Sequence, residues 1–362
     1  MMTRVTDDPA VERPSQTLEL GLDTFGDVTV DADGARLPDG QVIRNVVAQA
    51  VLADRVGVDF FGLGEHHRDD FAVSAPDVVL GAIAARTGRI RFGTAVTVLS
   101  SDDPIRVIER FNTLDALSDG RAEVILGRGS FTESFPLFGF DLADYELLFN
   151  EKLSIFTRGF RGEPVTWSGS HRTPLHEQRI YPANERPDGL VAWMGVGGSP
   201  ESVIRSVQTG IPMMLAIIGG DPARFLPYVD LYRRAQAELG VGPLPLGTHS
   251  LGHVADTDAL AAEELWPHFK AQRDRIGRDR GWPPVTRSAY EAEIGEGALY
   301  VGSPETVAAK IARTASLLGL DRFDLKYSHG QLPHEKLMHS IELYGTRVIP
   351  RVREILAAQP AE

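Results

Sequence analysis

Short apolar segments alternate with longer amphipathic segments along nearly the whole chain of 362 residues. The short segments are rich in Val, Ile, Leu and Phe without strict polar alternation, which is typical of strands that are buried on both faces of a parallel sheet. The longer segments place apolar residues at helical spacing, and several of them end in glycine, as helices commonly do. The repeated pattern predicts an α/β fold built on a parallel sheet.

About eight strand-helix units can be counted, and this number favours a (β/α)8 TIM barrel. An open, doubly wound sheet would show the same alternation and stays the alternative architecture. We predict a single barrel domain over residues 18–362, preceded by a disordered or extended segment over residues 1–17. The predicted strands span residues 18–22, 58–64, 90–99, 122–127, 190–197, 211–218, 246–255 and 322–328.

One stretch does not fit a bare barrel. Residues 163–187 are rich in proline, lack helical periodicity and delay the fifth strand. Long irregular connections of this kind are usually functional or contain a small extra element. The sequence therefore predicts an insertion before strand 5, either a functional loop or a hairpin.

Composition and charge exclude several classes of function. The chain has no cysteine, so disulfides, thiolate metal sites and cysteine nucleophiles are excluded. Its net charge of −13 opposes binding to nucleic acid or to anionic membranes. No apolar run approaches the roughly 20 residues of a membrane helix, and the N-terminus lacks the apolar core of a signal peptide. We therefore expect a cytoplasmic protein with small-molecule partners.

The fourth predicted strand ends in VILGRGS, residues 124–130, where two glycines surround Arg128. Gly127 and Gly129 would let a ligand approach the backbone, and a guanidinium offers several donors to a phosphate. Ser130 would add a hydroxyl group. The sequence predicts an anion site at Arg128, Gly129 and Ser130, with a turn carrying a solvated arginine as the alternative.

The fifth predicted strand continues through Gly197 and Gly198 into the start of a helix, where Ser199 is the expected N-cap. Free amides and the helix dipole favour an anion at such a place, although Glu201 in the first turn opposes it. Because barrel ligands bind at the carboxyl ends of the strands, this site and Arg128 could hold one phosphate between them.

Two histidines follow the second predicted strand in the stretch GEHHRDDF. Adjacent strand residues point to opposite sides, so at most one of His66 and His67 faces the barrel mouth. A metal pair would prefer His-x-His spacing, and no metal site is predicted. A single histidine there would donate a hydrogen bond or shuttle a proton, or would be structural. The phenylalanine-rich loop 131–140 could line an apolar pocket or pack the loop down.

Four segments together resemble the bacterial luciferase-like flavin-dependent monooxygenases, a (β/α)8-barrel family. They are GEHHRDDF, the run from RFGTAVTVL to FPLFGF, VGVGGSPESV and YVGSPETVAAKIA. The resemblance implies that reduced FMN is a co-substrate and that O2 supplies one oxygen atom to a small organic substrate. It also implies that Arg128, Ser199 and Ser202 hold the flavin phosphate and that His66 lies near the reacting flavin. Some relatives use a deazaflavin instead.

The resemblance further implies a distortion in the third strand, where Ala95, Val96 and Thr97 would contact the flavin. We predict a non-prolyl cis peptide at Ala95–Val96, or a bulge, under the flavin ring. A flat ring needs a floor of small residues, which GTA at positions 93–95 supplies. The alternative is a regular trans strand whose small residues fill the narrow barrel.

The resemblance also bears on partners. It implies that a flavin reductase, or NAD(P)H directly, supplies the reduced flavin, and that the chain forms a homodimer through the helices after strands 2 and 3. Two other functions stay open. One is a flavoprotein that binds FMN without catalysis. The other is a metal-dependent barrel hydrolase using His66 or His67 with His249, His253 and nearby carboxylates.

Overall fold

The computed structural model describes residues 17–31, 33–129 and 131–359. Apart from residue 17, the predicted N-terminal segment lies outside these ranges. None of the helices in the described ranges is both long and apolar enough to cross a lipid bilayer. The strands are β1 (Glu19–Thr24), β2 (Phe60–Leu63), β3 (Arg91–Val98), β4 (Ala122–Gly127), β5 (Val165–Trp167), β6 (Leu175–Gln178), β7 (Val191–Val196), β8 (Met213–Ala216), β9 (Leu246–Val254), β10 (Leu299–Gly302) and β11 (Arg322–Lys326). The α-helices are α1 (Asp39–Val56), α2 (Pro76–Ala84), α3 (Pro104–Leu117), α4 (Ser134–Phe138), α5 (Tyr145–Gly159), α6 (Pro200–Thr209), α7 (Leu226–Leu239), α8 (Asp258–Arg280), α9 (Arg287–Gly295), α10 (Pro304–Leu318), α11 (His334–Leu343) and α12 (Ile349–Ala357).

Eight parallel strands of the described chain close into a barrel. They follow one another in the order β1, β2, β3, β4, β7, β8, β9 and β11, and β11 pairs back onto β1. The closure confirms the TIM barrel over the open sheet, and each predicted strand overlaps one barrel strand. β10 was not predicted as a strand; it pairs with the end of β9 outside the ring.

The insertion before the fifth barrel strand contains an antiparallel hairpin, β5–β6, as one of the two alternatives predicted. Glu151 on α5 ties the following turn down. Its Oε1 accepts hydrogen bonds from the amide and hydroxyl of Ser170 at 2.8 and 2.7 Å, and its Oε2 accepts one from the amide of His171 at 3.0 Å. Burial raises the pKa of Glu151, but these hydrogen bonds together outweigh burial and lower the pKa to about 2.

A charged cluster fills the amino-terminal end of the barrel. The Arg322 side chain is fully buried, and its guanidinium lies 3.5 Å from the centre of the Phe60 ring. Its Nη1 donates to Glu123 Oε2 at 2.7 Å, and its Nε donates to Asp324 Oδ1 at 2.9 Å. Trp193 Nε1 also donates to Glu123 Oε2, at 3.2 Å. These groups come from four different strands, so the cluster fixes the barrel floor beneath the mouth.

Candidate active site

The third barrel strand is irregular where a flavin ring was predicted. The peptide bond between Ala95 and Val96 is cis, and the register between β3 and β4 shifts between Ala95 and Thr97. Both predicted alternatives, the cis bond and the bulge, are therefore confirmed. Ala95 and Val96 are half-buried, whereas Thr97 is buried and its Oγ1 lies 2.8 Å from Thr94 Oγ1. The Thr97 hydroxyl is thus engaged within the strand.

The glycines at the ends of β4 and β7 make room for Val96. A β-carbon at Gly127 would lie 2.4 Å from Val96 Cγ2, and one at Gly195 would lie 3.2 Å from Val96 Cγ1. The sequence predicted that Gly127 lets a ligand approach the backbone, but in the structure the Val96 side chain occupies the space beside Gly127. Gly129 differs, because its φ of +79° lies in the left-handed region that favours glycine.

Arg128 and the start of α6 come together as predicted. Ser199 caps α6, with its Oγ accepting a hydrogen bond from the Ser202 amide. The same Oγ donates to Ser202 Oγ at 2.9 Å, and Arg128 Nη2 lies 3.5 Å from Ser202 Oγ. A guanidinium, two hydroxyls and a helix N-terminus therefore converge at the ends of β4 and β7, a donor set that suits a phosphate.

Two residues that the sequence analysis missed complete this cluster. Glu146 on α5 forms an ion pair with Arg128, and its Oε2 lies 3.5 Å from Arg205 Nη2. The Glu146 carboxylate therefore bridges two guanidiniums beside the helix start. Tyr145 donates a hydrogen bond to the Gly129 carbonyl at 2.7 Å, which fixes the turn after β4. No local motif indicated these contacts, because they depend on where α5 packs.

The remaining predicted residues of this region are placed as follows. Gly197 and Gly198 link β7 to α6, and Gly198 has a φ of +95°. Ser130 lies outside the described residues. Glu201, the acidic residue that counted against an anion site, is exposed and lines a groove that also contains Asn150 and Arg205.

His66 lies in an aromatic enclosure at the end of β2. Its ring centre is 4.5 Å from that of Phe71, 4.8 Å from that of Phe25 and 5.1 Å from that of Phe131. Only 12% of the His66 side chain is exposed, and its Nδ1 lies 3.8 Å from Glu133 Oε1. Burial alone would raise the pKa of Glu133, but contact with His66 holds it below its usual value. A carboxylate thus faces this imidazole.

His67 has a different role from His66. Its Nε2 lies 3.0 Å from Glu65 Oε1, while Glu65 Oε2 accepts a hydrogen bond from the Val98 amide at 3.0 Å. His67 therefore supports the irregular strand β3. The two histidines have different partners, but β2 ends at Leu63, so the alternation of strand residues does not explain the difference.

The phenylalanine-rich loop packs down through one ring and covers the two histidines with others. Phe135 is buried and stacks on Tyr145, with ring centres 5.5 Å apart, which packs the loop down. Phe131 instead covers His66, and Phe138 meets the edge of His67 at 5.0 Å.

A second histidine lies inside the barrel mouth. His249 Nδ1 is 2.7 Å from Asp23 Oδ2, and 14% of the His249 side chain is exposed while the Asp23 side chain is fully buried. Burial alone would lower the pKa of His249, but the Asp23 carboxylate outweighs burial and raises it. In the sequence analysis His249 figured only as a candidate metal ligand, and Asp23 was not singled out.

The histidines proposed for a hydrolytic metal site each have a separate carboxylate partner. His253 Nε2 lies 2.9 Å from Glu264 Oε2 on α8, whereas His249 pairs with Asp23. Within residues 17–31, 33–129 and 131–359, no three side chains among His, Asp and Glu are grouped closely enough to hold a metal ion.

Comparison with known proteins gives the family context. Residues 24–322 match the family model described as luciferase-like monooxygenase. The chain is 33% identical over 313 residues to the 4-hydroxyprotoasukamycin monooxygenase of Streptomyces nodosus subsp. asukaensis, covering 82% of this chain and 84% of that protein.

Two solved structures share the fold. The oxygenating constituent of 3,6-diketocamphane monooxygenase from Pseudomonas putida, in complex with FMN, superposes with a TM-score of 0.74 at 20% identity, covering 92% of this chain and 98% of that one. An F420-dependent secondary alcohol dehydrogenase, in complex with an F420–acetone adduct, superposes with a TM-score of 0.71 at 17% identity, covering 93% and 99%.

Proposed function

Because the chain belongs to the luciferase-like monooxygenase family, we propose that it uses reduced FMN and O2 to oxygenate a small organic substrate. The observation that carries the proposal is the convergence of Arg128, Ser199 and Ser202 at the strand ends. The bound flavin would supply the activation of O2, and the protein would supply position, dryness and protons.

The residues present fit a flavin phosphate and its ring. The phosphate would accept hydrogen bonds from Arg128, Ser199 and Ser202, with Gly129, Ser130, Gly197 and Gly198 as its backbone surroundings. Ala95, Val96 and Thr97 would contact the ring, and His66 would lie near it. An enclosed imidazole there can hold or exchange a proton while the surrounding phenyl rings exclude water.

The proposal also includes the identity of the cofactor, the source of the reductant and the location of the protein in the cell. The FMN complex of one relative in fold and the F420 complex of another support a flavin-type cofactor, and FMN is the one we propose, with a deazaflavin as the alternative. A separate flavin reductase, or NAD(P)H directly, would supply the reduced form. A cytoplasmic location is part of the proposal as well.

Replacing Arg128 by alanine tests the phosphate site. We expect the dissociation constant for FMN to rise by about 10- to 150-fold, which corresponds to the roughly 1.5 to 3 kcal/mol of hydrogen bonds to a charged partner. Titration of FMN fluorescence would measure it. Arg106→Ala is the matched control, because that guanidinium is 75% exposed and pairs only with a neighbour on its own helix among the described contacts. An unchanged affinity for FMN in Arg128→Ala would show that Arg128 does not bind the phosphate. The same titration of the wild type with F420 identifies the preferred cofactor.

We also propose a homodimer through α2 and α3. Both helices expose large apolar side chains: Val78 is 70% and Leu117 is 68% exposed. Burying them against a second copy would remove this apolar surface from water. Light scattering at micromolar concentration should give a particle of twice the 39.5 kDa chain mass. A particle of 39.5 kDa would contradict the dimer.

A further inference from the structure

The pair formed by His249 and Asp23 lies beside the floor on which the flavin is proposed to rest. Asp23 and Ala95 are both neighbours of Gly62: a β-carbon at Gly62 would lie 3.0 Å from Asp23 Cβ and 2.8 Å from Ala95 Cβ. The buried carboxylate is therefore next to the irregular part of β3. His249 itself is placed by β9, whose register sets it beside Ala216 of β8 and Asp324 of β11.

The Phe25 ring connects His249 to His66. Phe25 stacks on His249 with ring centres 6.2 Å apart and an angle of 9° between the planes. The same ring meets His66 at 4.8 Å in an edge-on arrangement. The two imidazoles thus flank one phenyl ring at the barrel mouth.

Asp23 determines which nitrogen of His249 is available. A carboxylate only accepts hydrogen bonds, so Nδ1 must donate to Asp23 Oδ2 at 2.7 Å. The proton that His249 can exchange is therefore on Nε2. The other oxygen, Asp23 Oδ1, is buried without a hydrogen-bond partner among the described residues, so the pairing with His249 is the main stabilisation of this buried carboxylate.

The other charged groups around His249 lie on β11. Asp324 favours the charged imidazole, whereas Lys326 opposes it. Lys326 is itself held by Asp27, with 3.0 Å between Nζ and Oδ2, and lies 4.6 Å from the Phe25 ring centre. Burial lowers the pKa of His249, but Asp23 at 2.7 Å, with Asp324, outweighs burial and Lys326, so the pKa is raised and the charged imidazole is favoured.

We propose that His249, held by Asp23, is a second proton-exchanging catalytic residue of this site; the proposal rests on the oxygenase function proposed above. In the overall reaction, substrate, O2 and the reduced flavin give oxygenated substrate, water and oxidised flavin. An oxygen atom that is reduced, to water when substrate is present or to hydrogen peroxide when it is absent, must gain a proton. His249 donates its Nε2 proton to that oxygen: the N–H bond breaks, an O–H bond forms from an oxygen lone pair, and the neutral imidazole regains a proton from solvent or from the one that the flavin loses.

The first test uses the protein without flavin. Histidine ring signals are titrated by NMR, and the His249 signal is identified by its loss in His249→Gln. In Asp23→Asn the pKa of His249 should fall by at least about one unit, because an opposite charge in contact is worth about one to three units. The surface pair of His339 with Asp256, 3.2 Å apart, supplies the control signal, which should not move.

The second test follows the O2-dependent oxidation of bound reduced FMN from about pH 5 to about pH 9. Since the protonated imidazole is the active form, the rate should be constant below the pKa of His249 and fall above it. Asp23→Asn should move this fall to lower pH by the shift seen in the NMR titration. His249→Gln should lower the rate about 100-fold and abolish the fall, with the FMN dissociation constant within about threefold of the wild type. His339→Gln should behave as the wild type.

The outcomes separate the two proposals. Wild-type protein that does not bind FMN would overturn the oxygenase proposal and this one with it. Wild-type protein that binds and oxidises reduced FMN, with a pH profile that neither variant changes, would overturn only the role of His249. A pair that is merely structural would lower the unfolding temperature of both variants and leave the profile unchanged. Should Asp23→Asn not fold, the rate and profile of His249→Gln decide.

Discussion

Replacing Arg322 by alanine is expected to lower the free energy of unfolding by about 3 to 5 kcal/mol, the cost of leaving buried charges without their partner. The guanidinium is fully buried and forms ion pairs with Glu123 at 2.7 Å and Asp324 at 2.9 Å. Burial alone would lower the pKa of Arg322, but these two carboxylates raise it above its usual value. Urea unfolding followed by far-UV circular dichroism would measure the loss.

An exposed arginine of similar pairing provides the control. Arg351 is 43% exposed and reaches Glu305 at 2.9 Å, and Arg351→Ala should cost less than about 1 kcal/mol. If Arg322→Ala costs no more than this control, the buried cluster does not stabilise the barrel. The double variant Arg322→Met with Glu123→Leu should recover part of the lost unfolding free energy, because apolar side chains of similar size need no charged partner.

The loss of unfolding free energy in Arg322→Ala should also depend on pH. Burial already raises the pKa of Asp324 to about 6 in the wild type, although Arg322 opposes the shift. Without Arg322 the folded-state pKa of Asp324 rises further above its unfolded value, so the folded state binds more protons than the unfolded state. Stability of the variant therefore increases as pH falls. The loss should be smaller at about pH 5 than at about pH 8, and an equal loss at both would contradict this explanation.

The sequence predicted the ring of strands but not the contacts inside it. Each barrel strand is a short apolar run with a helix after it, and that pattern is local, so all eight were found. β10 was missed although it is as long as β2 and β8; it pairs with β9 and lies outside the ring. Glu123 and Arg322 are 199 positions apart, and strand alternation cannot say which inward charges meet across a barrel.

In the candidate site, too, the sequence predicted positions along the chain but not the contacts between distant residues. Arg128 and Ser199 could be placed at neighbouring strand ends because both follow strands in the chain. Their link to Glu146 depends on how α5 packs against α6, which no motif encodes. Asp23 is the next-to-last residue of β1, and only barrel closure brings it to His249, 226 positions away.

His66→Asn is expected to slow the O2-dependent oxidation of bound reduced FMN by about 100- to 10,000-fold, the usual contribution of a positioned acid or base. Histidine exchanges protons near neutral pH and asparagine does not, whereas both can donate a hydrogen bond. The FMN dissociation constant should change by less than about threefold, because the phosphate contacts at Arg128 lie on other strands. Stopped-flow absorbance of the flavin would measure the rate, and fluorescence titration the affinity.

The neighbouring histidine makes this prediction specific. His67 bonds to Glu65 and supports β3, so His67→Asn should disturb the floor modestly, by about tenfold or less. Glu133→Gln should lie between the two, because it removes the carboxylate 3.8 Å from His66 Nδ1 and keeps the imidazole. A protein whose His66→Asn variant binds FMN and oxidises it at the wild-type rate does not use this imidazole. Loss of rate with retained binding would instead favour a catalytic protein over a flavoprotein that only holds FMN. The three phenyl rings around His66 favour proton exchange because they exclude water, and they are not needed to bind the phosphate.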